Sequence, residues 1–307
     1  MPQSTAFPLH LQNPLFKFAK RAPKAPKIHH RKATKMIVST FISHILDIQK
    51  LYEINSLSTV LELPVLKGLD GIEGDTKILK LYDKHEIKSI FDAHGLTVPC
   101  IYHETRCDGI FGEAREALKD ELKRQLEVCA FFGSPIIMAV PCCVETPAPE
   151  QVKEKMAEYF RVCAELSQKY GIKTVAENYS TPKYTFATIE DTEWYLHALP
   201  EVDFVLDTGN YFFTYSDPLS ACERFLPRIA HVHAKDIKEM NENPYAVLLG
   251  RGYDSVAVGE GDVPIYEIVN KLKNSGYRGA FSIEISSMLD LAGKMRRSID
   301  NLKSWIK

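Results

Sequence analysis

From Met36 onward, short apolar runs rich in β-branched residues alternate with longer stretches of helical periodicity. The short runs predict strands over 37–43, 71–73, 97–103, 135–141, 173–178, 203–207, 229–235 and 280–286. The longer stretches read as amphipathic helices. Between 113 and 132, Leu118, Leu122, Leu126 and Cys129 recur at steps of three and four, which gathers them into one apolar stripe. Between 149 and 170, Val152, Met156, Phe160 and Cys163 do the same. Gly133 and Gly171 follow these helices as stop signals. A later helix is predicted to take Asp262 as its N-cap, to hold Pro264 in its first turn and to end at Gly276. A strand begins within a few residues of each glycine, the short connection expected between a helix and the next strand.

Eight strands separated by helices predict βα units and a parallel sheet. The reading is an α/β fold, a closed (β/α)8 TIM barrel in a single domain over 36–307. That length fits, because about 250 residues is the usual size of such a barrel. A doubly wound open sheet is the competing layout. It ordinarily carries Gly-x-Gly-x-x-Gly after its first strand, and none follows 37–43.

The first 35 residues differ from the rest. They hold Lys17, Lys20, Arg21, Lys24, Lys27, Arg31, Lys32 and Lys35 and no acid. The repeat Ala22-Pro23-Lys24-Ala25-Pro26-Lys27 reads as linker or tail. Residues 1–35 are expected to be a basic, disordered extension, or to precede a true start at Met36. They lack the apolar stretch of a secretory signal, while the absence of acids keeps a transit peptide in play.

Composition narrows the function classes. A net charge of −2 argues against a protein built to coat nucleic acid. No apolar run reaches the roughly 18 residues needed to span a membrane. The seven cysteines form no Cys-x-x-Cys pair, which predicts reduced thiols and a cytoplasmic protein. Adjacent Cys142 and Cys143 read as small hydrophobes at a strand end.

Candidate chemistry gathers at the ends of the last four strands. They close on Glu177, Asp207, His233 and Glu284. Period-two alternation puts Glu177 with Val175, Asp207 with Val205, His233 with His231 and Glu284 with Ser282. In a closed barrel that face is the interior, near the rim that carries active sites. Three carboxylates meeting there would repel without a cation. Three carboxylates and an imidazole suit one divalent metal ion, Mn²⁺, Mg²⁺, Co²⁺ or Zn²⁺. Taken singly, each has a plainer reading: a strand-end aspartate caps a helix, and a strand histidine is a core residue. His231, one layer deeper, is expected to be core or to support the ligands.

These residues resemble the xylose isomerase-like barrel superfamily of sugar and sugar-phosphate isomerases and epimerases. The similarity runs from about Met36 to the end. It is carried by Tyr170-Gly-Ile-Lys-Thr-Val-Ala-Glu177-Asn178, Leu206-Asp207-Thr-Gly-Asn210, His231-Val-His233-Ala-Lys235-Asp236, Gly259-Glu-Gly-Asp262 and Gly276-Tyr-Arg-Gly-Ala-Phe-Ser-Ile-Glu284. The resemblance implies one metal held by Glu177, Asp207, His233 and Glu284. It also implies a small sugar or sugar-phosphate substrate and a place in carbohydrate metabolism, with no nucleic-acid or membrane partner, and it leaves room for a homo-oligomer. In such enzymes a metal polarises a carbonyl so that the neighbouring C–H becomes acidic. Two carboxylates then remove and return the proton, here Glu177 and Glu284. Return to the opposite face gives epimerisation, and return to the adjacent carbon gives isomerisation.

The chain departs from the family in two places. Asn210 stands where many members have histidine, and Lys235 and Asp236 follow His233 where ketohexose epimerases carry arginine. Asn210, Lys235 and His103 are therefore the expected substrate contacts, Lys235 meeting a phosphate or hydroxyl. The segment 238–258 is expected to act as a lid, with Gly250 and Gly252 allowing movement. The alternative function is a metal-dependent lyase or dehydratase on a keto-acid, keto-sugar or keto-inositol. Less favoured are an apurinic endonuclease-like hydrolase, whose extra metal-binding histidines are missing here, and a non-enzymatic sugar-binding barrel.

Overall fold

The computed structural model describes residues 35–143, 149–181, 185–242, 244, 246–248 and 250–307. The basic segment, apart from Lys35, lies outside the described residues. Eight parallel strands close into a barrel: β1 (Ile37–Phe41), β2 (Gly71–Asp75), β3 (Ile101–Arg106), β4 (Ile136–Cys142), β5 (Lys173–Glu177), β6 (Asp203–Asp207), β7 (Ile229–Ala234) and β11 (Ala280–Ile283). Their order is β1-β11-β7-β6-β5-β4-β3-β2, with β2 returning to pair with β1. All eight predicted strands are present.

Alternation along each strand sorts the core into two regions. The outward set, including Val38, Ile72, Ile101, Ile137, Ala176, Phe204, Leu206, Val232, Phe281 and Ile283, packs in one cluster with the helices. The inward set has an apolar arc of Cys100, Met138, Val140, Val175 and Val205. The rest of the interior is polar: Ser39, Glu73, His231 and Ser282 are all fully buried. A barrel interior normally fills with layers of branched apolar side chains. Half of this one is hydrogen-bonded instead, directly beneath the strand ends where the candidate ligands stand.

The helix stripes fall as the spacing predicts. Arg115–Phe132 buries Leu122, Leu126 and Cys129. Pro149–Gln168 buries Val152, Met156, Phe160 and Cys163. Gly133 and Gly171 both sit at φ +71°, the left-handed region that ends a helix at little cost only in glycine. Among the described residues no helix is long and apolar enough to cross a membrane. All seven cysteines are free thiols.

Four local expectations are corrected. β1 stops at Phe41, because the chain turns at once into the helix Ile42–Leu51. β3 starts at Ile101 rather than 97, since Pro99 has no N–H for the ladder; Thr97 makes a single bridge to Gly71. Asp262 is no N-cap. The helix before the final barrel strand, Ile265–Asn274, starts after Pro264, and the Asp262 carboxylate instead accepts from the Glu239 amide at 2.9 Å. Finally, 238–258 is not an open glycine-hinged loop. Its described part is built on β8 (Asp236–Glu239), β9 (Ala246–Leu248) and β10 (Arg251–Val256), which form an antiparallel sheet in the order β8-β10-β9. Gly252 serves packing there: a Cβ would stand 2.4 Å from the Met240 carbonyl oxygen. Asp236 ties this sheet to the barrel, because its carboxylate accepts from the amides of Gly259 (2.7 Å) and Gly261 (3.0 Å).

Candidate metal centre

The strand ends of β5, β6 and β7, with the residue just past β11, bring Glu177, Asp207, His233 and Glu284 together. One ligand atom from each lies within 4.8 Å of all the others. The register explains the convergence. Asp207 pairs with His233, which sets those two side chains side by side, while Glu177 pairs with Val205 and Ser282 with His233, so the two glutamates reach the same point from one inward step before and one inward step after it. The His233 Nδ1 touches a Glu177 oxygen and lies 3.5 Å from Glu284 Oε2.

Asp207 caps the following helix, the plainer reading of a strand-end aspartate, and also stands in the cluster. Its Oδ1 accepts from the Asn210 amide at 2.8 Å and so caps the helix Thr208–Phe213. Its Oδ2 faces the Lys235 ammonium at 3.2 Å. Asn178 holds the strand end from the other side. It accepts from the Asp207 amide and donates to the Asp207 carbonyl, both at 3.0 Å.

Lys235 is no solvated rim lysine. It is buried, and its Nζ contacts Glu284, Asp207 and the Asn210 Oδ1 (3.1 Å). Gly209 makes room for its stem: a Cβ there would stand 2.6 Å from Lys235 Cγ. Asn210 is buried and donates from Nδ2 to the Asn178 carbonyl at 2.9 Å, so both ends of its amide are engaged.

His103 is the expected contact that the structure places elsewhere. On β3, Tyr102 takes the inward face, so His103 points out among the helices. It is buried there, with Nδ1 3.0 Å from Thr76 Oγ1 and Nε2 3.8 Å from Glu121. Nothing in Cys100-Ile101-Tyr102-His103 marks which parity faces inward.

A cavity of about 320 Å³ opens onto the cluster. It is lined by Glu177, His233 and Glu284 together with Phe41, Tyr102, Met138, Ser43, His44, Ile285 and Ser286, and the Phe41 ring packs edge-on against His233 at 4.9 Å between centroids. His44, Phe41 and Tyr102 are pocket residues that sequence reasoning missed. Phe41 ends β1 on the inward parity and could have been found by the alternation that marked the acids; Tyr102, near the start of β3, could not, because the parity of that strand was unmarked.

Exposure divides the three carboxylates by role. Glu177 and Glu284 keep 12% and 23% of their side-chain surface open, whereas Asp207 has none. The first two can meet a molecule in the cavity, and Asp207 can only hold and orient.

The charges are strongly coupled. Burial pushes the Asp207 carboxyl up, to about 8; Lys235 opposes this, while Glu284 and Glu177 add to it. Burial would also raise Glu284, but Lys235 and His233 outweigh it and hold that carboxyl below its usual range. Burial would lower His233, yet Glu177 and Glu73 outweigh it and keep the ring well above 6.5. Lys235 likewise resists burial, because Asp207 and Glu284 hold its ammonium above its usual range. Three acids and one imidazole therefore share a buried space in which Lys235 supplies the balancing charge. That donor set, three oxygens and one nitrogen, fits a hard or borderline divalent ion.

Comparison with known proteins agrees with this architecture. The family model described as xylose isomerase-like TIM barrel matches residues 66–305. An inosose dehydratase of Bacillus thuringiensis is 30% identical over 156 residues, 48% of this chain and 52% of that protein. The chain thus spans about half the length of the curated relatives it matches. Among solved structures, a sugar phosphate isomerase/epimerase from Parabacteroides distasonis superposes with a TM-score of 0.68 at 16% identity, covering 93% of this chain and all of that one. The IolI protein, solved with a bound zinc atom, superposes with a TM-score of 0.66 at 19% identity, covering 89% and 99%. At those identities the structural likeness speaks for the fold.

Proposed function

This chain belongs to the xylose isomerase-like TIM barrel family, and on that premise we propose that it is a divalent-metal-dependent isomerase or epimerase of a small sugar or sugar phosphate. The observation that carries the reading is the convergence of Glu177, Asp207, His233 and Glu284 within 4.8 Å at the mouth of the barrel. Those four residues would hold the ion, Mn²⁺, Mg²⁺, Co²⁺ or Zn²⁺. When bound, it supplies Lewis acidity that makes a C–H bond beside a carbonyl ionisable.

The chain's own residues perform the rest. Glu177 and Glu284 open onto a cavity also lined by Phe41, Tyr102 and Met138. A keto-sugar held there presents its α-carbon to two carboxylates. One removes the α-proton, and the other delivers a proton to the opposite face or to the neighbouring carbon. Asp207, shut off from the cavity, orients Lys235 and the cap of the following helix. Lys235, buried against Glu284, would hold that carboxylate in place, and Asn210, with both ends of its amide engaged, holds Lys235 rather than a substrate. The Phe41 and Tyr102 rings would help keep water from the carbanion.

A second reading is favoured by a specific observation. Loss of water from the enediolate requires an acid to protonate the departing hydroxyl. Lys235 Nζ lies against Glu284 and near Asp207, and this cation beside the carboxylate that opens onto the cavity would supply a protonated partner for the departing hydroxyl. The 30% identity with an inosose dehydratase supports the same outcome. Both readings share the first proton transfer, and the test separates them. Ketoses, ketose phosphates and keto-inositols are incubated with the protein and Mn²⁺ in D₂O. Deuterium in a newly formed epimer or aldose–ketose isomer supports isomerase or epimerase chemistry. Growth of enone absorbance supports dehydration. A protein that binds one divalent ion but gives neither with any of these substrates would overturn both.

A further inference from the structure

We infer that Glu73, a fully buried carboxylate on β2, is a positioning residue for the metal centre: it holds His233 in the tautomer that offers Nδ1 to a cation. The inference rests on the metal-centre reading above. His233 lies between two sets of acids. Its Nδ1 faces Glu177 and Glu284, and its Nε2 faces Glu73 Oε1 at 3.3 Å. A neutral imidazole carries one N–H, so a ring that gives the Nδ1 lone pair to a metal must keep its hydrogen on Nε2. A buried N–H needs an acceptor. An ionised carboxylate can only accept. Glu73 therefore suits the ring with hydrogen on Nε2 and would set two lone pairs against each other in the alternative tautomer.

Glu73 is itself fixed from below. Its other oxygen, Oε2, lies 2.8 Å from His231 Nε2. That nitrogen also approaches Ser282 Oγ at 3.1 Å, and Ser282 Oγ meets Ser39 Oγ at 2.7 Å. His231 Nδ1 is buried with no hydrogen-bond partner, so the ring's hydrogen belongs on Nε2, where the acceptor is. Two stacked histidines thus direct their Nε2–H groups at one carboxylate, and both of its oxygens are engaged. Glu73, Cys100 and His231 also lie close enough to surround an ion. All three are fully buried and none of them lines the cavity, whereas Glu177, His233 and Glu284 do, so the lower group is read as a support for the upper site. Partners of this kind typically change metal affinity by about 10–100-fold when they are removed.

The test uses the full chain labelled with ¹⁵N-histidine and titrated with Zn²⁺, affinity being read by competition with a chromophoric chelator. The His233 signals are assigned by their loss in His233→Asn. The expected result is one Zn²⁺ per chain and a neutral His233 ring with its hydrogen on Nε2. Glu73→Gln is expected to weaken Zn²⁺ by about 10–100-fold, with little change in melting temperature. Glu73→Asp, which keeps the charge, is expected to recover part of that loss. Two results would overturn the inference: a Zn²⁺-loaded His233 with hydrogen on Nδ1, or Glu73→Gln binding within twofold of the native chain. If Glu73→Gln does not fold, the tautomer in the native chain decides alone. A native chain that takes up no Zn²⁺ refutes the metal centre itself, and this inference with it.

Discussion

Asp203 and Asp207 stand at the two ends of β6 in opposite company. At the N-terminal end of the barrel, Asp203 meets Lys173 at 2.5 Å and Arg228 at 3.5 Å, and Arg228 also donates to the carbonyls of Leu196 and Leu199. At the same end but across the barrel, Asp70 accepts from the Val38 amide at 2.9 Å and pairs with Lys303 and Lys35. Each acid at that end has two cations. At the other end, three carboxylates share one lysine and one histidine. The strands are the same, so the difference is one of use. The matched end ties strands and helices together. The crowded end keeps like charges close, which favours a bound cation over stability of the empty site.

The strongest blow to this contrast would come from Glu284. Glu284→Gln is expected to cut α-proton exchange by about 10²–10⁴-fold and to lower the melting temperature of the metal-free protein modestly, since Lys235 and His233 lose a charged partner. Exchange at the native rate would end the acid–base assignment. Asp70→Ala tests the opposite end. It strands the buried Val38 amide and should cost about 1–3 kcal/mol of stability by urea unfolding, with kcat/KM within twofold. A large loss of activity at native stability would show that the ends are not separable in this way.

Lys235→Met sharpens the comparison at the crowded end. Removing the balancing ammonium should lower the melting temperature without metal and enlarge the gain on adding Mn²⁺, as calorimetry would report. A gain equal to that of the native chain would mean that Lys235 and the ion do not share the same acids.

The ends should also differ in pH response. Asp207 is raised to about 8 by burial, so between about pH 4 and 8 the folded protein holds a proton that the unfolded chain has released. His233, also raised, acts in the same sense above 6.5. Stability of the metal-free protein should therefore fall as pH rises through that window. Asp70 behaves oppositely. Burial would raise it, but Lys303 and the Val38 amide outweigh that and depress it, so its contribution is complete at neutral pH and lost only in acid. Melting curves from pH 5 to 9 on the native chain and Asp70→Ala should fall in parallel, and divergence there would reject the assignment. The smallest effect is expected from Tyr102→Phe, which loses one hydrogen bond to Glu104 and should shift KM only a few-fold.

The convergence of Glu177, Asp207, His233 and Glu284 was legible because each stands on the inward parity at or near the end of a strand with a clear apolar run. Glu73 was not. Its strand shows only Gly71-Ile72-Glu73 before Gly74, too little for a periodicity to display, and its partners are 158 and 160 residues away in sequence. His103 was misplaced because β3 carries polar and aromatic residues on both faces, so sequence alone did not fix its parity. The small sheet at 236–256 was hidden by Gly250 and Gly252, which read as hinges until the close approach of Met240 showed that one of them serves packing. Lys235 shared the face of His233 in the sequence. Its depth came only from the space left by Gly209.

That space has an evolutionary reading. A methyl group at 209 would strike the stem of Lys235, so neither position can drift alone: a lineage that enlarges 209 must already have shortened 235. The pair should vary together or stay frozen, and a directed-evolution library that diversifies one of them should open the other in the same round.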